Sequence, residues 1–155
     1  MNHEHSTASQ DPVRPKIDRG SLVAALQQIL PPDSVLFEKE DLSPYECDGL
    51  SAYRQLPLVV VIPGSIEEVQ QIMRLCHSRK VPVVARGTGT GLSGGALPLA
   101  EGVVLSLARL KSILQVDPEK RIARVQPGVR NLAISEAALP HDLYYAPDPS
   151  TQIEI

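Results

Sequence analysis

The stretch LPLVVVIPGSIEEVQQIMRLCHSRKVPVVARGTGTGLSGGA, Leu56 to Ala96, decides how the chain folds. It opens on LPLVVVIP (Leu56–Pro63), a continuous apolar run, rich in β-branched residues and bounded by prolines, as in a strand buried on both faces of a parallel sheet. Pro63-Gly64 turns the chain. Ser65-Ile66-Glu67-Glu68 then has capping-box spacing, in which the Ser and Glu side chains satisfy backbone N–H groups at a helix start. Ile66, Val69, Ile72, Met73 and Cys76 recur at helical spacing as far as Lys80, which makes Cys76 a packed thiol rather than a nucleophile. VPVVA (Val81–Ala85) is a second strand. The strand–helix–strand unit thus runs straight into RGTGTGLSGGA, Arg86 to Ala96, where five glycines, two threonines and a serine are crowded together.

Glycine loses the most conformational freedom on folding and packs nothing, so such a cluster implies a backbone that turns sharply or lies close to a ligand. Gly89-Thr90-Gly91-Leu92-Ser93-Gly94 satisfies G-x-G-x-x-G after a strand. A dinucleotide site of that kind also needs a helix opening off the loop and an acid about 20 residues on. Pro98 and Ala100-Glu101-Gly102 interrupt any helix, and the residues at that distance are Leu110, Lys111 and Ser112. A phosphate loop of the Walker type is excluded because Gly94-Gly95-Ala96 carries no lysine. A connector without a ligand remains an alternative. Glycine at alternate positions suits a concave nest of successive N–H groups, which binds anions without a lysine. Thr88, Thr90 and Ser93 add hydroxyl donors, and Arg86 adds a cation.

Beyond the loop, GVVLSL (Gly102–Leu107) reads as a third buried strand. Ile113–Val116 and Arg121–Val125 form a hairpin around Asp117-Pro118-Glu119-Lys120, where Asp and Pro favour a type I turn. Asn131–Leu139 follows as a helix with Leu132, Ser135, Glu136 and Leu139 at three- and four-residue spacing. Upstream, Ser21 is placed to cap a short helix carrying Leu22, Leu26, Ile29 and Leu30, stopped by Pro31-Pro32, and Ser43-Pro44-Tyr45-Glu46 forms a helical turn. Residues 1–20 read as a disordered tail, 21–56 as an N-terminal helical segment and 57–155 as the principal domain. The expected class is α+β: a small parallel β-α-β subdomain followed by an antiparallel one.

Composition bounds the function. At 155 residues, 43% apolar and 21% charged, the chain has room for one real core. Fourteen prolines and ten glycines against one Phe, four Tyr and no Trp mean that loops take up much of it. A net charge of −3 with no basic run argues against nucleic acid. Cys47 and Cys76 lie far apart with no CxxC, which fits a cytoplasmic setting. The longest apolar run, Leu56–Pro63, is far short of the roughly 20 residues a membrane helix needs. His3, His5, His77 and His141 have no evident partners, and the sequence offers no catalytic or metal-ligating residues.

Pro82 to Ala96 resembles the pyrophosphate loop of the FAD-linked oxidases with a PCMH-type flavin domain, the vanillyl-alcohol oxidase family, and within it the group of glycolate oxidases and D-lactate dehydrogenases. Four further blocks match in order: Tyr45 and Asp48 as Y-x-x-D, Pro63 with Glu67-Glu68-Val69, Gln126-Pro127-Gly128-Val129, and Ala146-Pro147-Asp148-Pro149-Ser150. The resemblance implies a PCMH-type FAD-binding fold, truncated at its C-terminal side, that grips FAD between a parallel and an incomplete antiparallel subdomain. It assigns Arg86, Gly87, Thr88, Gly89, Thr90, Gly91, Ser93, Gly94 and Gly95 to the pyrophosphate, and Pro147, Asp148, Pro149, Ser150 and Thr151 to the flavin side. For that second stretch, ordinary turn chemistry is the alternative. Thr90 stands where some relatives carry a flavin-linked histidine, which implies non-covalent FAD.

The family pattern continues with I-G-G-N and N-A-G-G segments and a substrate cap domain, whereas this chain ends at Ser150-Thr-Gln-Ile-Glu-Ile155. Two functions follow. One is the FAD-binding portion of an enzyme that oxidises a small D-2-hydroxy acid such as glycolate or D-lactate, with hydride passing to FAD and electrons leaving to another acceptor, partner subunits being one option. The other is a truncated or split-gene fragment with nucleotide binding at most and no catalysis of its own.

Overall fold

The computed structural model describes residues 17–146. Its centre is a four-stranded sheet in the order β1-β2-β4-β3, and a separate two-stranded sheet pairs β5 with β6. Strand β2 (Val59–Val61) is buried throughout, as its apolar run requires. Helix α3 (Ile66–Ser78) follows, and its capping box is complete: Glu68 N donates to Ser65 Oγ at 3.1 Å, while Glu68 Oε2 accepts from Ser65 N and Gly64 N. Strands β3 (Val83–Arg86) and β4 (Val103–Ser106) come next, and β4 lies between β2 and β3, parallel to both.

One face of the sheet packs Val59, Val61, Val103 and Leu105 against Ile72 and Cys76 of α3 and Leu22 and Leu26 of α1 (Arg19–Leu26). The other face packs Val60 and Val104 against Leu42, with Leu36, Tyr45, Leu56 and Ile62 around them. Each fully buried Val or Leu here contributes roughly 1.5–3 kcal/mol relative to exposure.

Several expectations shift. The helix start moves from Ser21 to Asp18, whose Oδ1 accepts from Gly20 N, because the carboxylate reaches the free N–H one turn earlier. The tail therefore gives way to structure before Gly20, and Ile17 already packs on the core. Val35–Leu36 forms an unforeseen strand, β1, antiparallel to β2, and Lys39–Leu42 forms an unforeseen short helix, α2. Both are too short to show a periodicity. The turn at Ser43–Tyr45 is 3-10 helical.

On α3, Ile72 and Cys76 are buried and Val69 and Leu75 pack beside them, but Ile66 and Met73 are exposed. At about 100° per residue the latter two fall together on the flank of the stripe, beyond the reach of the sheet.

Strands β5 (Ile113–Asp117) and β6 (Ile122–Val125) flank the expected turn. Asp117 accepts from Lys120 N through Oδ1 and from Lys120 Nζ through Oδ2. Arg121 belongs to the turn rather than to the strand, since its φ is 54°. Helix α4 (Asn131–Ala138) buries Ile134 and Ala138, one turn apart, and leaves Leu132 and Leu139 exposed, so its docked face is opposite to the expected one. Gly128 N donates to Leu110 O at 2.7 Å, and a Cβ there would lie 2.5 Å from Leu107 O. Only glycine lets the antiparallel piece approach the end of β4 so closely.

Burial pushes the Cys76 thiol up to about 11, with Arg79 pulling it slightly back. At pH 8 a thiol reagent is expected to modify half-buried Cys47 and to leave Cys76 intact until the chain unfolds, as peptide mapping of the labelled protein would show. Removing the cap with Ser65→Ala should cost about 1 kcal/mol and lower Tm by roughly 2–6 °C, read by thermal unfolding.

Candidate functional site

Strands β2, β4 and β3 run in one direction, so their carboxyl ends lie along one edge of the sheet, the edge at which open α/β sheets place ligands. Residues 87–102 leave β3 at that edge and return to β4 without forming a helix. Parallel neighbours usually need a helical crossover that satisfies its own backbone groups. Here Gly89 adopts φ 81° and Gly94 φ 73°, and Leu97 N donates to Gly94 O across a turn. Bare backbone is thus presented where a helix N-terminus would otherwise lie.

The glycines of the loop fall into two kinds. Among the described residues, a Cβ added at Gly91, Gly94 or Gly95 would meet nothing within 4 Å, so that side of the loop is open to them. A Cβ at Gly89 would overlap the Arg86 guanidinium, and the positive φ strains any side chain besides. Gly91 has no positive φ, so its backbone accepts a side chain, and what such a side chain would obstruct is the open face. Thr88 Oγ1 and Thr90 Oγ1 lie 3.4 Å apart, and Ser93 is exposed on the same loop with Leu92.

Arg86 differs from the expectation that it faces an anion. It is 7% exposed. Its Nη1 donates to Cys47 O at 2.7 Å, its Nη2 to Thr88 O at 3.4 Å, and its Cζ lies 5.5 Å from the centroid of the Tyr45 ring. The guanidinium therefore lies behind the loop, against main-chain oxygens.

The segment it touches is a part of the site that sequence motifs alone did not assign to it. Gly49 N donates to Gly91 O at 3.0 Å, and a Cβ on Gly49 would come within 2.6 Å of Thr90 O. Asp48 Oδ1 accepts from Leu50 N, while buried Asp48 Oδ2 has no hydrogen-bond partner among the described residues. In the sequence Asp48 enters only through the Y-x-x-D block of the family resemblance, which implies no contact with a loop forty residues on. Pro147, Asp148, Pro149, Ser150 and Thr151 lie outside the described residues.

A concavity of about 480 Å³ between the β5–β6 hairpin and α4 is lined by Asp117, Arg121, Ile134, Asp142 and Tyr144 among others, and by no residue of the glycine loop. Among the described residues no group of three His, Cys, Asp or Glu side chains is placed to hold a metal ion. No helix among them is long and apolar enough to cross a membrane. The loop thus offers bare main chain and the hydroxyls of Thr88, Thr90 and Ser93 at a sheet edge, donor types that suit an anion. A diphosphate is compatible with it, because the open faces of Gly91, Gly94 and Gly95 leave room beside the main chain.

Comparison with known proteins agrees with this geometry. The chain is 59% identical over 143 residues to glycolate oxidase subunit GlcD of Escherichia coli K12, a match covering 92% of this chain and 29% of that protein. It is 42% identical over 94 residues to D-lactate dehydrogenase of Archaeoglobus fulgidus, covering 61% of this chain and 21% of that one. The chain thus spans less than a third of the length of these relatives. The crystal structure of p-cresol methylhydroxylase with substrate bound superposes with a TM-score of 0.70 at 28% identity, over 80% of this chain and 25% of that one. The fold is accordingly of the PCMH type, with mixed α and β content. Residues 57–155 match the FAD binding domain family, and the chain belongs to it, with FAD as the cofactor.

Proposed function

We propose that this chain is the FAD-binding portion of a flavin-dependent oxidoreductase of the glycolate and D-lactate type, which oxidises a small D-2-hydroxy acid. The observation that carries it is the helix-free glycine loop at the carboxyl edge of three parallel strands, open at Gly91, Gly94 and Gly95. Similarity to a glycolate oxidase subunit over 92% of the chain supports the choice of substrate class.

In this role the backbone N–H groups between Gly87 and Gly95, with the hydroxyls of Thr88, Thr90 and Ser93, hold the pyrophosphate of FAD. Pro147, Asp148, Pro149, Ser150 and Thr151 lie along its flavin side. When bound, FAD supplies the hydride acceptor for the carbon that bears the substrate hydroxyl. With threonine at position 90 the attachment is non-covalent. The substrate clamp and base come from residues outside this chain, and electrons leave to partner subunits, consistent with the word "subunit" in the name of the bacterial relative. Free Cys47 and Cys76 support a cytoplasmic location. We assign residues 57–155 to the FAD-binding unit proper, preceded by a helical segment that begins at Asp18 rather than at Ser21.

A second reading is favoured by the share of the relatives covered, 29% of the glycolate oxidase subunit. In it, the chain by itself binds a nucleotide at most. Both readings are tested by assaying the 155-residue chain alone with glycolate or D-lactate and an artificial electron acceptor. No turnover is expected; measurable turnover abolished by a change at Ser150 would place the reaction centre within this chain.

The loop itself is tested by Gly91→Asp. No positive φ and no neighbouring atom of the described residues opposes a side chain there, so the fold should be retained, with Tm within about 2 °C of the parent. A carboxylate on the open face repels two phosphates and should weaken FAD binding at least about tenfold, measured by flavin fluorescence titration. Cys76→Ala, which removes only a packed thiol, should lower stability and leave flavin content per folded chain nearly unchanged. FAD binding retained in full by Gly91→Asp would identify the loop as a connector.

A further inference from the structure

We propose that Arg86 is a positioning residue for the FAD loop, holding it in shape from behind through a donor fork and making no direct contact with the cofactor. The proposal rests on the assignment of residues 86–95 to the FAD pyrophosphate. Three observations carry it. Arg86 is the last residue of β3, and its guanidinium is buried against Cys47 O and Thr88 O, so that one planar group bridges the loop and a segment some forty residues earlier. The space behind Gly89 is filled by that guanidinium, which therefore sets how far the loop can fall back toward the sheet. The same two segments also touch directly, backbone to backbone, through Gly49 N and Gly91 O, beside the exposed stretch that meets the ligand.

The charge acts locally. Arg86 stacks by the Tyr45 ring at 5.5 Å and spends two of its nitrogens on main-chain oxygens, an arrangement that needs a planar fork with several donors. Lysine has the charge but neither the fork nor the stacking plane. Positioning by the fork and attraction by the charge thus predict opposite results for Arg86→Lys. Gly49 completes the device from the other side, since a Cβ there would come within 2.6 Å of Thr90 O and push the loop away.

The test compares Arg86→Lys, Arg86→Gln and Gly49→Ala with the parent chain by two measurements: hydrogen exchange at the Gly49 amide without cofactor, and FAD titration. The amide of Val104, deep in the sheet, reports global folding. Exchange at Gly49 is expected to rise at least about tenfold in both Arg86 variants while Val104 stays protected, and FAD affinity should fall about tenfold or more in all three variants. Gly49→Ala leaves Arg86 intact, so it keeps the comparison decisive if an Arg86 variant fails to fold. Parent-like protection and affinity in Arg86→Lys would overturn the proposal in favour of plain charge. Unchanged Gly49 exchange in both Arg86 variants would overturn it outright, as would lost protection with undiminished FAD binding. Failure of the parent chain itself to bind FAD would sink the assignment of the loop, and the exchange measurement would still decide whether Arg86 holds it.

Discussion

The insertion of β4 between β2 and β3 is the constraint on which the rest of the molecule depends. Val103 and Val104 are fully buried and Leu105 nearly so, and β4 pairs in parallel on both sides, with Val103 opposite Val59 and Val83. A strand in that position must be apolar on both faces and must be reached by a crossover from its neighbour. Because β3 and β4 are adjacent and parallel, residues 87–102 have to travel the length of the sheet and come back. They do so as an irregular loop, which exposes main-chain groups that a helix would have paired with one another.

The proposed anion site grows from that deficit. Unpaired backbone N–H groups cost free energy when they are shielded from water, and they are good donors when an anion supplies the oxygens. The open faces of Gly91, Gly94 and Gly95 leave room for such an anion, while Gly89 and Gly49 are glycine for another reason, the close approach of Arg86 and of the Thr90 carbonyl. One cluster of glycines therefore serves two ends. Some positions are open-faced, and others let the segment around Gly49 pack against the loop.

Much of the candidate site's backbone was legible in the sequence because glycine spacing and strand context are local. The G-x-G-x-x-G in Gly89–Gly94 was told apart from a dinucleotide fingerprint by Pro98 and the turn at Ala100–Gly102, and no helix forms there. The direction of the Arg86 side chain was not legible. An arginine beside a phosphate loop looks like a ligand until the carbonyl of Cys47, 39 positions away, is found 2.7 Å from its Nη1. Burial of Ile134 and Ala138 in place of Leu132 and Leu139 has the same origin: α4 has apolar residues on two flanks, and its neighbours choose between them.

What the sequence by itself determined is what short-range chemistry controls. Apolar runs made β2 and β4, the Ser65–Glu68 box started α3, Asp117 with Lys120 closed the hairpin turn, and repeated glycine kept the 87–95 backbone free of regular structure. The tertiary structure alone decided the strand order, the pairing of Val35–Leu36 onto β2, and the contact of Gly49 with Gly91. Each of these joins residues far apart in the chain, through backbone hydrogen bonds that carry no side-chain signature. Their free energy is realised only after the shared core of Val59, Val61, Ile72 and Val103 has brought the segments together.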